Sequence, residues 1–143
     1  MTTELFRKIL VATDGSQRNQ TAVAESLRIG RASGAEIHAV YVLDTGTLET
    51  ASPEMVIGDA WSLMQREAEE ALSRVREMAG DVRLVTATLT GKPALEIIRY
   101  AASHGVDLIV IGTQGKRGIE RLLLGSVAEN IIRTAQCDVL VVK

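Results

Sequence analysis

Only one cysteine, Cys137, stands in the chain, so no intrachain disulfide can form and a disulfide-stapled scaffold is excluded. A cysteine-based zinc set goes with it, and neither His38 nor His104 has a histidine four residues away to pair with. Aromatic residues make up 3 % of the chain, which leaves little to stack a flavin ring or single-stranded bases. No apolar run approaches the ~18 residues of a membrane span. Charge of either sign is nearly balanced, at a net −2, so the basic footprint of a general nucleic-acid binder is missing. Two phosphate-binding motifs are also absent: there is no G-x-x-x-x-G-K-[ST] and no G-x-G-x-x-G after a strand. The opening Met1-Thr2-Thr3-Glu4 has no basic segment leading into an apolar one, and with the lone cysteine it points to a reducing, cytoplasmic setting.

What is present reads as one globular domain over residues 1–143, with 46 % hydrophobic and 24 % charged residues. Four short apolar runs stand out: Ile9–Ala12, Ile37–Leu43, Leu108–Ile111 and Val139–Val142. Near-continuous runs of this kind are strands buried on both faces, as in parallel sheets. A fifth run, from Val82 to Thr90, alternates. Val85, Ala87 and Leu89 share one face, so this strand is expected at a sheet edge with the polar side less buried.

Helical patterns fill the gaps. Val23, Leu27 and Gly30 share one face of the first helix. Ile57, Trp61, Met64, Ala68, Ala71, Val75 and Met78 form the inward stripe of a longer one, with Glu70 and Arg74 paired on its outer side. Pro93 opens the next, with Leu95, Ile98 and Ala102 expected inward. The last starts near Ser126 and turns Val127, Ile131 and Ala135 inward. Strand and helix alternate to a final strand, which defines a doubly wound α/β domain with an open, mostly parallel sheet. The stretch Asp44–Val56 is expected to be a loop.

Ligands of such sheets bind where the strand order reverses, at the carboxyl ends of the strands. The segment after Ile111 is the richest there. Gly112, Gly115, Gly118 and Gly125 lie within fourteen positions and end at a helix start, with Lys116, Arg117 and Arg121 among them. Backbone N–H groups at a helix N-terminus favour phosphate oxygens, and glycine lets a ligand come close. Ser126 adds a hydroxyl. A capping box, Ser126-Val127-Ala128-Glu129, accounts for the same serine with no ligand. Asp14, after the first strand, suits an Asx-type turn with Gly15-Ser16 or a contact to a ribose, an adenine edge or a metal. No residue stands out as a catalytic group or as part of a protein metal set. His38, within a strand, and His104, near a helix end, are read as structural, and Cys137 as a small buried side chain.

Taken together, Lys8-Ile-Leu-Val-Ala-Thr-Asp14-Gly-Ser16, Val42-Leu43-Asp44, Gly91-Lys-Pro93, Val106-Asp-Leu-Ile-Val-Ile-Gly112 and Asp138-Val-Leu-Val-Val142 resemble the universal stress protein family across nearly the whole chain. The most specific element is Gly112-x2-Gly115-x9-Gly125-Ser126, which is similar to that family's ATP-binding signature at every defined position. The resemblance implies a Rossmann-like five-stranded sheet in the order 3-2-1-4-5, with helices on both faces. It implies ATP as ligand, with Mg2+ or Mn2+ bridging the phosphates. Ala12, Thr13, Asp14 and the Val42 backbone would take the adenosine end, and Gly112 the ribose. Gly115, Gly125, Ser126 and Val127 would take the phosphates. Gln114 stands where relatives often carry a basic residue or histidine, and Ala128 where some carry a hydroxyl.

The resemblance also implies a homodimer through Val139, Leu140, Val141 and Val142, since an edge strand leaves backbone groups unpaired. The function implied is an ATP-dependent regulatory or stress-response protein rather than a dedicated catalyst. A dimeric interaction module with a vestigial site, and a slow ATPase or autophosphorylating protein, are the alternatives. A receiver domain is disfavoured because the alternating strand ends in Thr88-Leu89-Thr90 without an acidic residue.

Overall fold

The computed structural model describes residues 5–46, 57–113 and 124–143. The elements run β1 (Lys8–Ala12), α1 (Gln20–Ser33), β2 (Glu36–Asp44), α2 (Ile57–Ala79), β3 (Leu84–Gly91), α3 (Pro93–His104), β4 (Leu108–Gly112), α4 (Ser126–Thr134) and β5 (Asp138–Val142). They form one five-stranded sheet in the order β3-β2-β1-β4-β5, and every pairing is parallel. The sheet is the doubly wound, Rossmann-like one expected from the apolar runs. The alternating strand, β3, is one edge and β5 the other.

Each face of the sheet carries its own core. On one side Ile9, Val11, Ile37, Ala39 and Val110 meet α1 and α2 through Val23, Leu27, Leu72 and Val75. On the other Leu10, Val40, Ile109 and Ile111 meet α3 and α4 through Ile97, Tyr100, Ala128 and Ile131. Fully burying one such aliphatic side chain is worth about 1.5–3 kcal/mol, which is why the central strands tolerate almost no polar residue. His38 is the exception. Its Nδ1 accepts from the Tyr100 hydroxyl at 2.7 Å and its Nε2 donates to Glu36 Oε1 at 2.6 Å, so a ring protonated on Nε2 leaves neither nitrogen unsatisfied. The Tyr100 ring stacks on His104, whose Nδ1 donates to the Tyr100 carbonyl at 2.9 Å. His38 ties β2 to α3, and His104 packs the Tyr100 ring from within the same helix. Burial, and secondarily the Glu36 charge, push the Tyr100 hydroxyl above its usual range.

Several inward faces differ from expectation. In α2, Leu72 and Ala79 are buried while Met78 is exposed. Steps of four and three average 3.5 residues, and a stripe drawn at that period drifts ~20° per heptad from a straight helix of period 3.6. In α3 the buried residues are Ile97, Tyr100 and Ala101, whereas Leu95 and Ala102 are exposed and Ile98 is half-buried. That helix is apolar on most sides, so its pattern does not select one face. In α4, Ala128 and Ile131 face the sheet, while Val127 is exposed and Ala135 half-buried. Val85 on β3 is exposed at the open edge. Thr45 and Gly46, expected as loop, are helical, and the Gly46 N–H bonds to Asp44 Oδ1 at 2.9 Å; residues 47–56 lie outside the described residues. Among the described residues no helix is long and apolar enough to cross a membrane.

Candidate functional site

The strand order reverses between β1 and β4. From β1 the chain leaves by α1 on one face, and from β4 it returns by α4 on the other. The carboxyl ends of these two adjacent strands therefore part into a crevice. Ala12 and Thr13 end β1 there, and Gly112 and Thr113 end β4. Val11 and Val110 are register partners just below.

Thr13 is buried, and its N–H bonds to the Val40 carbonyl at 2.9 Å, the last bond β1 makes to β2. Beyond it β2 runs on to Asp44. Along β2, backbone groups alternate sides: the Glu36 N–H and the Val40 carbonyl bond toward β1, and the Ile37 N–H toward β3. The N–H and carbonyl of Val42 thus point to the β1 side, roughly 7 Å past the Val40 level at the usual strand rise. They overhang the crevice.

Asp14 forms an Asx turn. Its Oδ1 accepts the Ser16 N–H at 2.8 Å and the Ser16 hydroxyl at 2.6 Å. Gly15 sits at φ 77°, a left-handed conformation that a side chain disfavours. The turn and a ligand role need not compete, because both turn bonds fall on Oδ1.

On the opposite wall Gly125 is the N-cap of α4, in extended conformation at φ −63° and ψ 155°, with no side-chain cap bond. Its own N–H bonds to the Thr113 carbonyl at 2.7 Å, which ties the helix start to the end of β4. The first intrahelical bond of this turn is Glu129 N–H to the Gly125 carbonyl at 2.9 Å. The N–H groups of Ser126, Val127 and Ala128 are left without an acceptor in the helix, and the helix dipole adds partial positive charge there. Ser126 is the first helical residue, not the cap. Glu129 pairs with Arg133 at 2.6 Å instead of reaching back. The expected capping box therefore does not form, because the chain enters α4 one residue earlier than a serine cap requires.

The structure thus brings Ala12, Thr13, Asp14, Gly112, Gly125, Ser126 and Val127 to one end of the sheet, with Val42 above them. Gly115, with Lys116, Arg117 and Arg121, lies outside the described residues. Among the described residues no group of His, Cys, Asp and Glu is arranged to hold a metal ion. Cys137 is half-buried before β5, and burial pushes its thiol above the usual range.

Two residues of this region were not assigned to it from sequence. Asn19 precedes α1, is buried, and donates from Nδ2 to the Ala12 carbonyl at 3.1 Å; its Oδ1 is buried without a partner. An asparagine just before a helix is a cap signal, yet here its side chain braces the end of β1. Arg74, expected to pair with Glu70, donates from Nη2 to the Gly15 carbonyl at 2.9 Å. Nothing local in the sequence reveals a bond spanning that separation.

An open parallel α/β sheet, with an aspartate turn after β1 and an uncapped helix N-terminus after β4 on either side of its switch point, defines a doubly wound α/β protein. Within that class, the universal stress protein family model matches residues 5–143, and the chain belongs to that family. Universal stress protein MJ0531 of Methanocaldococcus jannaschii is 42 % identical over 141 residues, covering 97 % of this chain and 83 % of that protein. The solved structure of the universal stress protein UspA from Lactobacillus plantarum superposes with a TM-score of 0.87 at 27 % identity, over 96 % of this chain and 98 % of that one. A universal stress protein solved in complex with cAMP matches with a TM-score of 0.68 at 27 % identity, over 96 % of both chains.

Proposed function

We propose that this protein binds ATP in the crevice between the Asp14 turn and the start of α4, and acts as a nucleotide-dependent regulator in stress response rather than as a dedicated catalyst. The uncapped N-terminus of α4 carries the reading: the Ser126, Val127 and Ala128 N–H groups need an acceptor, and phosphate oxygens supply one. The glycine spacing Gly112-x2-Gly115-x9-Gly125-Ser126 and the relative that holds cAMP support a nucleotide as that ligand.

In this reading the Val42 N–H and carbonyl read the edge of the base, and Ala12 and Thr13 line its seat. Asp14 Oδ2 accepts from a ribose hydroxyl, and Gly112 lets the sugar lie close to the backbone. Gly115, Gly125, Ser126 and Val127 hold the phosphates through N–H groups and the serine hydroxyl. A divalent ion, Mg2+ or Mn2+, would neutralise the phosphate oxygens and be held mainly by them.

Calorimetric titration of Mg·ATP into nucleotide-stripped protein tests the site, with Gly125→Val as control. The backbone angles at Gly125 are open to valine, so the control is expected to fold. Saturable binding lost in Gly125→Val is the expected result. An absence of binding by the parent protein sinks the proposal, as does turnover near ordinary enzyme rates of ~1–10³ s⁻¹ for its non-catalytic part.

We further propose a symmetric homodimer through β5. Val139, Leu140, Val141 and Val142 are only partly buried on an open edge, with Val127 and Ile132 of α4 exposed. A second copy would cover both the strand edge and this apolar surface. Light scattering is expected to give a dimer that Val141→Lys converts to monomer, and a concentration-independent monomer in the parent protein refutes it.

A further inference from the structure

Arg74 lies on the exposed side of α2, where a long basic side chain is ordinarily solvated or paired with a carboxylate one turn away. Here it crosses to the β1–α1 turn and donates to the Gly15 carbonyl at 2.9 Å. The approach is close. A Cβ on Gly15 would stand 3.2 Å from both Arg74 Nη2 and Ala71 Cβ. The turn is knit internally by the Gly15 N–H on Thr13 Oγ1 at 3.2 Å and by Ser16 on Asp14 Oδ1. Those bonds fix the shape of the turn, and Asn19 holds its α1 end through the Ser16 carbonyl at 3.2 Å and the Ala12 carbonyl at 3.1 Å. The Arg74 bond to Gly15 ties it to α2, whose next turns, through Ala71, Leu72 and Val75, are buried in the core.

We propose that Arg74 is a positioning residue for the nucleoside end of the crevice. By holding the Gly15 carbonyl against α2, its guanidinium fixes where the Asp14 carboxylate stands. The inference rests on the nucleotide reading of the site and adds a residue that touches no part of the nucleotide. A hydrogen bond from a charged donor is worth enough for about a tenfold change in affinity when the held group makes a ligand contact.

The test is a double-mutant cycle read as the Kd of Mg·ATP in the full chain: parent, Arg74→Met, Asp14→Ala and the double variant. Arg74→Met is expected to weaken binding about tenfold in the parent and less than about twofold when Asp14 is already alanine. An effect of Arg74 through long-range attraction for phosphate, or through a general loosening of the fold, would persist undiminished in the Asp14→Ala background and overturn the proposal. Equal Kd values for parent and Arg74→Met would overturn it too, while leaving the nucleotide site intact. A parent protein that binds no ATP would instead remove the nucleotide reading, and the inference with it. Should Asp14→Ala bind too weakly to measure, amide exchange at Ser16 in the ligand-free protein decides: faster exchange in Arg74→Met supports the role, and unchanged exchange refutes it.

Discussion

Gly30 lies where α1 comes down on β2, and its replacement by alanine probes how tightly the two are seated. A Cβ at position 30 would stand 2.7 Å from Ile37 Cδ1 and 3.0 Å from its Cγ1. Carbon atoms rest about 3.5–4.0 Å apart, so the overlap approaches about 1 Å. Ile37 is fully buried within the α1–α2 core and has no open space to swing into. Overpacking of this kind costs about 1–3 kcal/mol. Against it stands the better helix propensity of alanine, about 1 kcal/mol. The net expectation is a loss of about 0–2 kcal/mol. Ile37→Val removes Cδ1, and alone it costs about 0.5–1.5 kcal/mol. In the double variant the new methyl takes the room that Cδ1 left, so the combined loss falls short of the sum by about 1 kcal/mol. Urea unfolding of the four proteins at one fixed concentration, followed by circular dichroism, supplies the free energies and m-values. An alanine variant more stable than the parent, or a strictly additive cycle, would mean that α1 has slack above β2 and would refute the reasoning.

Tyr100→Phe removes the hydroxyl that satisfies His38 Nδ1 and leaves a buried acceptor unpaired, so a loss of about 1–3 kcal/mol in urea is expected; an unchanged midpoint would show that His38 finds another donor. Ser126→Ala is expected to leave stability within about 0.5 kcal/mol, since Gly125 holds the cap position; a loss near the ~1 kcal/mol of a true N-cap serine would restore the capping box. Burial raises the Cys137 thiol pKa above its unfolded value, so the folded state keeps its proton longer than the unfolded one. Its contribution is therefore complete below that value and is lost as pH rises through the folded pKa. The urea midpoint should fall less between about pH 8 and pH 10 in Cys137→Ser than in the parent, and an identical fall in both would contradict this.

The alternating run from Leu84 was legible as an edge strand because half-burial leaves a period of two in the residues themselves. The runs at Ile9, Ile37 and Leu108 were legible as interior strands for the opposite reason. The meeting of the candidate residues at one end of the sheet was legible in outline: Thr13-Asp14 follows β1, Gly125-Ser126 opens the helix after β4, and a parallel sheet gathers such junctions at one end. The inward face of α3 was not, because Leu95, Ile98 and Ala102 make as good an apolar stripe as Ile97, Tyr100 and Ala101. Only the position of the sheet beneath selects between them. Nor was the state of Ser126. One residue of shift at the entry to α4 turns a capping serine into a first-turn residue, and local composition does not resolve one residue.

By itself, then, the sequence determined the alternation of strand and helix, the burial of the central strands on both faces and the junctions that carry the glycines and Asp14. These follow from periodicity and side-chain chemistry over a few neighbouring positions. Tertiary structure alone decided that β2 outruns β1, so that the Val42 backbone overhangs the crevice. It alone carried Arg74 across to Gly15 and set the His38 ring between Glu36 and Tyr100. Arg74 and Tyr100 are separated from their partners by 59 and 62 positions respectively. Such contacts depend on register and helix placement, which are relations between segments and belong to neither segment alone.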